Sequence, residues 1–593
     1  MVAIAPRSWA SRLLLLVGLL VPVFGASNEP YGISFDNDGI GPDGPWTCLD
    51  VSTDYPQQTV PVYPTLLETP LLINATTCQD QTAQCPLPTL SMWTGSGAHD
   101  LVNDENSAEW DPSKLQSLNG GYVTDLMGLQ GSLRYISQRF TFGTSDGEKY
   151  LDGTATAVAD NVTVSYPNGN FYTLGIGYMS LYGGSSFTYD LPNGTDWTLK
   201  LQLYNGYNLG AYPSLSYGLH MGSALHNVTG KLFLGGYDRA RCIGDPIAVK
   251  QNSTFSLADI SLGVAQGGSA FLNNTSSATE IDGLLQTNTS ASLPLSTQPD
   301  PGLPYLYLPG ATCAAIAAYL PVTYDAGLGL YLWNTGADQY NEIISSPHYL
   351  SFHFHTSGSS GATQSIDIPF ALLNLTLNWP LVSTDTQYFP CRPYDSSDDS
   401  QPSVVLGRAF LQGAHLAQNW GTGYVWLAQA PGPSFAQEDL RTVDSDATSL
   451  TKLPTADLWN ATWAEVLTPL NGSTSGSSTS SDGSSASAGS ASSASATGQG
   501  LSTGAKAGIG VGAALGGIAL IGLVAGALIW KRRRRDAMQK PPETTQIPNE
   551  PWAQQMAPQE LPAEERQELP VHGHTVEELQ GQPKRGELPA RYA

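Results

Sequence analysis

The stretch QPDPGLPYLYLPG, residues 298–310, sets one carboxylate, Asp300, between two prolines and just ahead of an apolar, tyrosine-rich run. A carboxylate held in a Pro/Gly turn can act as a general acid or base when a second titratable group shares its proton. Alone, it lacks that partner. Other reactive groupings are sparse. PHYLSFHFH carries His353 and His355 on one face of a strand, with His348 nearby, a spacing that would offer nitrogens to a metal ion. YDSSDDS gathers Asp395, Asp398 and Asp399 but lacks the loop pattern of an EF-hand calcium site, and reads as a solvated loop. No G-x-S-x-G, phosphate-binding glycine loop or dinucleotide motif points to another enzyme class, and no cofactor is expected.

The elements that position these residues are short strands. Of 593 residues, 41% are hydrophobic and only 13% charged, with 62 glycines and 41 prolines. Runs of Val, Thr, Tyr and Leu between Gly, Asn and Pro make a strand-and-turn protein. Residues 27–430 read as folded and strand-rich, and 431–471 as a transition with weak helical character. Arg7 and Arg12 flank the start of an apolar run, Leu13–Phe24, so residues 1–26 read as a secretory signal peptide cut after Gly25 or Ala26. Residues 507–530 carry no charge over 24 positions, enough to cross a bilayer as one helix, and KRRRR (Lys531–Arg535) follows. Positive flanks stay cytoplasmic, which gives a type I membrane protein of the secretory pathway and cell surface, its N-terminal domain outside. Between them, residues 472–504 are almost entirely Ser, Gly, Thr and Ala and form a disordered stalk. The tail, 531–593, is rich in Pro, Gln and Glu and reads as disordered. Its ELPA and ELPV phrases at Glu560, Glu568 and Glu587 suit docking of a cytoplasmic partner. Gly508, Gly512 and Gly516 recur every four residues in the span and offer a homodimer face.

All six cysteines precede the span, and an even number in an oxidising compartment implies disulfides, with Cys78 and Cys85 close enough for a local loop. Eleven glycosylation sequons begin at Asn74, Asn161, Asn193, Asn227, Asn252, Asn273, Asn274, Asn288, Asn374, Asn460 and Asn471. Setting aside Arg7, Arg12, Lys506 and the neutral tail leaves 13 basic residues against 41 acidic ones, a net charge of about −28. Nucleic acid and anionic lipid surfaces are therefore excluded as partners of the outer part.

Five phrases resemble one family. DYPQQTVPV (Asp54–Val62) resembles the opening strand of pepsin-like aspartic proteases. TLGIG (Thr173–Gly177) resembles the apolar-apolar-Gly element that closes the first lobe's active-site layer. TGKLFLGGYD (Thr229–Asp238) resembles the segment before the lobe crossing, LPYLYLPGATCAAI (Leu303–Ile316) the segment after the second catalytic Asp, and VVLGRAFLQGAHLAQNW (Val404–Trp420) the closing apolar-Gly strand. They occur in the family's order over about 370 residues. The chain is similar to fungal membrane-anchored members of peptidase A1. The resemblance implies a mainly β, bilobal fold with pseudo-twofold lobes, 46–236 and 237–430, around a cleft, followed by the stalk, the single transmembrane helix and the tail. It implies disulfides Cys78–Cys85 and Cys313–Cys391, which would leave Cys48–Cys242. It puts an ordinary strand at PHYLSFHFH, so no metal is expected.

The family's chemistry needs one aspartate from each lobe, sharing a proton and activating a water. Asp300 matches the second of these, with Pro301 in place of the family's Thr or Ser and Leu303 in place of a small hydroxyl residue. Counting on from Gln57 or Gln58 lands the first position on Pro64 or Thr65, neither of which is an acid. Glu68 is the nearest carboxylate and reads as a loop residue. TGSG within MWTGSGAHD (Met92–Asp100) imitates the family motif with Trp93 in place of Asp, but it follows the Cys78–Cys85 loop instead of preceding it. Phe142 of FTFGTSDG is the flap candidate and lacks the phenol oxygen of the family's Tyr. These departures imply a non-catalytic ectodomain that binds or senses at the surface, with an extended peptide or wall polymer in the cleft. An active aspartic endopeptidase is the alternative.

Overall fold

The computed structural model describes residues 28–471, except 55–56, 75–115, 118–120, 143–148, 160–161, 170, 191–195, 251–253, 274–279, 288–291, 357–360, 397–400 and 454–457. Strands dominate, as the composition requires. At the centre lie six strands, each antiparallel to the next: Tyr31–Ile40, Lys231–Leu234, Ser216–His220, Ala414–Asn419, Tyr424–Gln429 and Ile243–Lys250. Three precede Gly236 and three follow it, and the two sets meet where Gly218 faces Ala417. Both faces are covered, so the central strands are buried throughout. Their polar side chains are accordingly paired: the Tyr217 hydroxyl donates to Gln418 Oε1 at 3.2 Å.

On either side the chain makes the same turn. Before Gly236, Gln57–Thr65 runs parallel to Gly177–Ser180, with Thr65 opposite Ser180. The chain then loops round and returns as Leu71–Ile73, antiparallel to the other edge of the same strand, with Leu71 opposite Tyr178. After it, Leu295–Pro299 runs parallel to Val404–Leu406, and Leu306–Leu308 returns antiparallel on the far edge. VVL at 404–406 reads as a continuous apolar run because it has neighbours on both edges and both faces. The corresponding first-lobe strand lies further along than TLGIG suggests. Gly177–Ser180 performs that role, while Leu174 and Ile176 pack in the core before it.

One apolar cluster runs from Tyr31 to Leu467, and a smaller one gathers Tyr237, Cys242 and Trp426. Segment 431–471 is more ordered than its composition suggests. Leu440–Thr442 pairs with Gly236–Asp238, and Trp463, in the short helix Leu458–Trp463, is buried. Cys313 and Cys391 form a disulfide. Cys48 and Cys242 do not pair, contrary to the expectation from elimination: both are buried thiols, and they sit in separate core clusters. Among the described residues no helix is long and apolar enough to cross a membrane. The segment 507–530, the stalk, the tail, the signal peptide and the Cys78–Cys85 pair all lie outside the described residues.

Candidate functional site

The two returning turns bring Thr65 and Asp300 together. Thr65 ends a strand and Asp300 directly follows one, and each side chain accepts the backbone N–H two residues on. Gly302 N–H donates to Asp300 Oδ1 at 2.9 Å, and Leu67 N–H donates to Thr65 Oγ1 at 3.2 Å. Neither residue has measurable exposure. Asp300 is further fixed by its own N–H, which donates to the Leu406 carbonyl at 3.0 Å, while the Thr65 carbonyl accepts from Leu181 N–H at 2.8 Å. Gly302 is needed here for space: a Cβ on it would strike Thr65 Oγ1 and stand 3.1 Å from Asp300 Oδ1. Counting along the sequence leaves Pro64 and Thr65 equivalent, but strand alternation separates them, and the residue turned to Asp300 is Thr65. A hydroxyl therefore stands beside the buried carboxylate.

The loops beyond are braced differently. Ser180 Oγ donates to the Leu67 carbonyl at 2.6 Å and lies 3.1 Å from that of Glu68. On the Asp300 side the equivalent brace is Arg408, whose Nη1 donates to the carbonyls of Gly302 at 2.9 Å and Pro301 at 3.2 Å. This guanidinium is 2% exposed and reaches the Thr65 side, 4.0 Å from the Tyr63 ring and 5.0 Å from that of Trp46. Leu303 is fully buried, and Glu68 is exposed.

Beside this turn lies a narrow cavity of about 20 Å³, room for about one water. Six tyrosines line it, Tyr63, Tyr166, Tyr172, Tyr178, Tyr305 and Tyr307, together with Asp43, Arg392 and Arg408. Asp43 is 3% exposed and is held from two sides: Trp46 Nε1 donates to Oδ1 at 2.9 Å and the Tyr305 hydroxyl to Oδ2 at 3.0 Å. The hydroxyls of Tyr305 and Tyr166 lie 3.0 Å apart, and Tyr388 donates to the Asp43 carbonyl at 2.6 Å. Burial, reinforced by the Asp43 carboxylate, pushes the phenols of Tyr166, Tyr172, Tyr305 and Tyr388 up, so all four stay protonated donors. Beyond the cavity, Asn168 N–H donates to the Gly327 carbonyl at 2.9 Å.

The remaining sequence candidates do not join this site. His348 sits on the opposite strand face from His353 and His355; its Nε2 accepts from Ala270 N–H at 2.8 Å, and Ser346 Oγ lies 2.6 Å from Nδ1. His353 is near Glu280 and Asp282 but is bracketed by Ser261 and Ser365 hydroxyls at 2.7 and 2.8 Å. Asp395 accepts from Gly310 N–H, while Asp398 and Asp399 lie outside the described residues. So do Met92–Asp100 and the side chain of Phe142, which ends the strand Ser132–Phe142. Asn227 and Asn273 are exposed with positive φ, and the Asn374 amide oxygen accepts from Tyr340 at 3.2 Å. Asp43, Arg392 and Arg408 escaped the sequence reading. Arg408 did leave a signal, as a lone cation inside the apolar phrase VVLGRAFL.

No family model matches the sequence, and no curated protein does. Among solved structures, the chain is similar to the aspartic proteinase from Irpex lacteus, at 15% identity and a TM-score of 0.40, over 71% of this chain and 100% of that one.

Proposed function

We propose that residues 28–471 form a peptidase A1-like ectodomain that binds an extended polymer, peptide or wall glycan, and does not hydrolyse it. The observation that carries this reading is the pairing of Asp300 with Thr65. Acid proteolysis of this type needs two carboxylates sharing one proton, and a threonine hydroxyl cannot take the second place at any working pH. The substitutions at Pro301 and Leu303 support the same reading, since neither offers the carboxylate a hydroxyl. The sequence adds the proposed setting: a secreted, glycosylated, type I membrane protein, raised on a Ser/Gly stalk, with a cytoplasmic tail available to a partner and a glycine face in the span.

The test is hydrolysis of a broad peptide library in acid, with and without pepstatin, by the purified protein and by Asp300→Ala. No pepstatin-sensitive cleavage is expected. Pepstatin-sensitive cleavage that disappears in Asp300→Ala would overturn the proposal in favour of an active endopeptidase.

A further inference from the structure

Another group of side chains shares no residue with the Asp300 turn. The strand Phe255–Val264 is flanked by His348–His355 and, over Leu262 and Gly263, by the two-residue strand Glu280–Ile281. The turn after Ile281 is pinned, because the Asp259 carboxylate accepts from Gly283 N–H at 2.8 Å and from Leu285 N–H at 3.3 Å. Asp259 also stands opposite His353 across the strands. A carboxylate oxygen from each of Glu280 and Asp282 and a ring nitrogen of His353 thereby lie within 4.8 Å of one another. His353 Nε2 is 3.6 Å from Glu280 Oε1. On its other side the ring is held by Ser365, whose Oγ is 2.8 Å from Nδ1. Ser261 Oγ donates to Glu280 Oε1 at 2.7 Å and is 2.7 Å from Nε2. Among the described residues no Lys or Arg forms an ion pair with Glu280 or Asp282. The local field is negative: burial raises the pKa of the nearby Tyr349 phenol, and Asp367, Glu280 and Asp282 push it the same way.

We infer that Glu280, Asp282 and His353 bind a divalent ion of the zinc class, with water completing its coordination. Zinc takes imidazole nitrogen at about 2.0–2.1 Å and carboxylate oxygen at about 2.0–2.2 Å, so two tetrahedral ligands stand roughly 3.4 Å apart. The pair of His353 Nε2 and Glu280 Oε1, at 3.6 Å, is already close to that edge. Asp282 is exposed and makes no hydrogen bond among the described residues, so rotation of its carboxylate closes the remaining edges. Two carboxylates and a neutral imidazole balance the ion's two charges. The nitrogen selects against Ca²⁺ and Mg²⁺, which take oxygen. With Ser365 accepting the Nδ1 proton, Nε2 turns its lone pair to the ion, the outer bond that orients a ligating histidine. His355, two residues on, is not a member of the group, and His348 lies on the opposite strand face. The bound ion clips the returning segment 280–285 to the strand His348–His355. This site stands whether or not the cleft binds a polymer.

The test is titration calorimetry and thermal unfolding of the purified full chain, first stripped with a chelator, then given ZnCl₂ or CaCl₂. The variants are Asp282→Asn, His353→Gln and, as a control, His355→Gln. Zinc is expected to bind the native protein and to raise its unfolding midpoint, as an ion that binds only the folded state must. Asp282→Asn and His353→Gln should each weaken zinc binding by at least about tenfold, since even an outer-shell substitution costs that much. His355→Gln should bind zinc as the native protein does. Asp282→Asn changes an exposed side chain of nearly the same shape, so its metal-free midpoint should equal the native one, and its loss of zinc then cannot come from a lost fold. Zinc held by His572 and His574 of the tail would survive every substitution. No heat and no midpoint shift with zinc overturns the site. So does a zinc affinity unchanged in Asp282→Asn or in His353→Gln, or a response to calcium equal to that to zinc, which would mark general attraction to acidic groups.

Discussion

The nearness of Thr65 to Asp300 can be tested by placing a second acid at position 65. In Thr65→Asp a second carboxylate would enter a fully buried position, with Thr65 Oγ1 and Asp300 Oδ1 already converging on the empty Cβ space of Gly302. That lies within the ~4–6 Å range over which a like charge shifts a pKa. Two unit charges about 5 Å apart repel by about 3 kcal/mol at an effective dielectric constant near 20, equivalent to about two pKa units. The sign follows from linkage. The new carboxyl has its folded-state pKa raised above the unfolded value of about 3.9, so its contribution is harmless below that pH and turns destabilising as pH rises through the folded value. Thr65→Asn supplies the control for shape and desolvation without charge. The difference between the two variants, measured by urea unfolding with tryptophan fluorescence, should be near zero at pH 3 and about 3 kcal/mol at pH 7. A difference that is the same at both pH values would refute the convergence of the two side chains. Hydrolysis is not expected from Thr65→Asp alone, because Pro301 and Leu303 still offer no hydroxyl.

Tyr305→Phe should destabilise the fold by about 1.5–3 kcal/mol, because it removes a 3.0 Å hydrogen bond to the buried Asp43 carboxylate; an unchanged urea midpoint would show that Asp43 does not depend on it. Arg408→Met should lose about 2–4 kcal/mol, the charge-assisted bonds to the Pro301 and Gly302 carbonyls being partly offset by relief from burying a cation. A loss under ~1 kcal/mol in the same assay would sink the bracing role. Burial lowers the pKa of His220 and His415 to about 3, with Arg241 pushing the same way, and that of His348 to about 4. Their folded values lie below the unfolded value of about 6.5, so the stability that depends on their neutrality is complete above pH 6.5 and is lost as pH falls toward 4, at up to ~1.4 kcal/mol per pH unit per histidine. His415→Asn should flatten unfolding free energy against pH by about one proton between pH 6 and 4.5, and an unaltered slope would contradict the neutral, buried state.

The strand-rich architecture was legible because it rests on local signals. Turn residues bound each strand, and a continuous apolar run such as VVL marks a strand buried on both edges. The interior of the site was much less legible, and for a specific reason. Its contacts join residues far apart in sequence: Tyr305 to Asp43 across 262 positions, Tyr166 to Tyr305 across 139. No local pattern encodes such a pairing, and a tyrosine in an apolar run looks the same whether its hydroxyl is bonded or not. The choice between Pro64 and Thr65 failed for the same reason on a smaller scale. Adjacent strand residues point to opposite faces, so an uncertainty of one residue in counting is an uncertainty of a whole face, and only the register of Thr65 on Ser180 removes it. Elimination paired Cys48 with Cys242 by arithmetic alone, whereas a disulfide needs two Cα atoms within about 7 Å, and burial in separate clusters leaves each thiol stable without one. Arg408 shows what could have been read. A cation has no reason to sit in VVLGRAFL unless something buried needs its donors, and the carbonyls of the Asp300 turn are that need. The turn that carries Asp300 is thus held by hydrogen bonds to its backbone and a bracing arginine, none of which requires a second carboxylate.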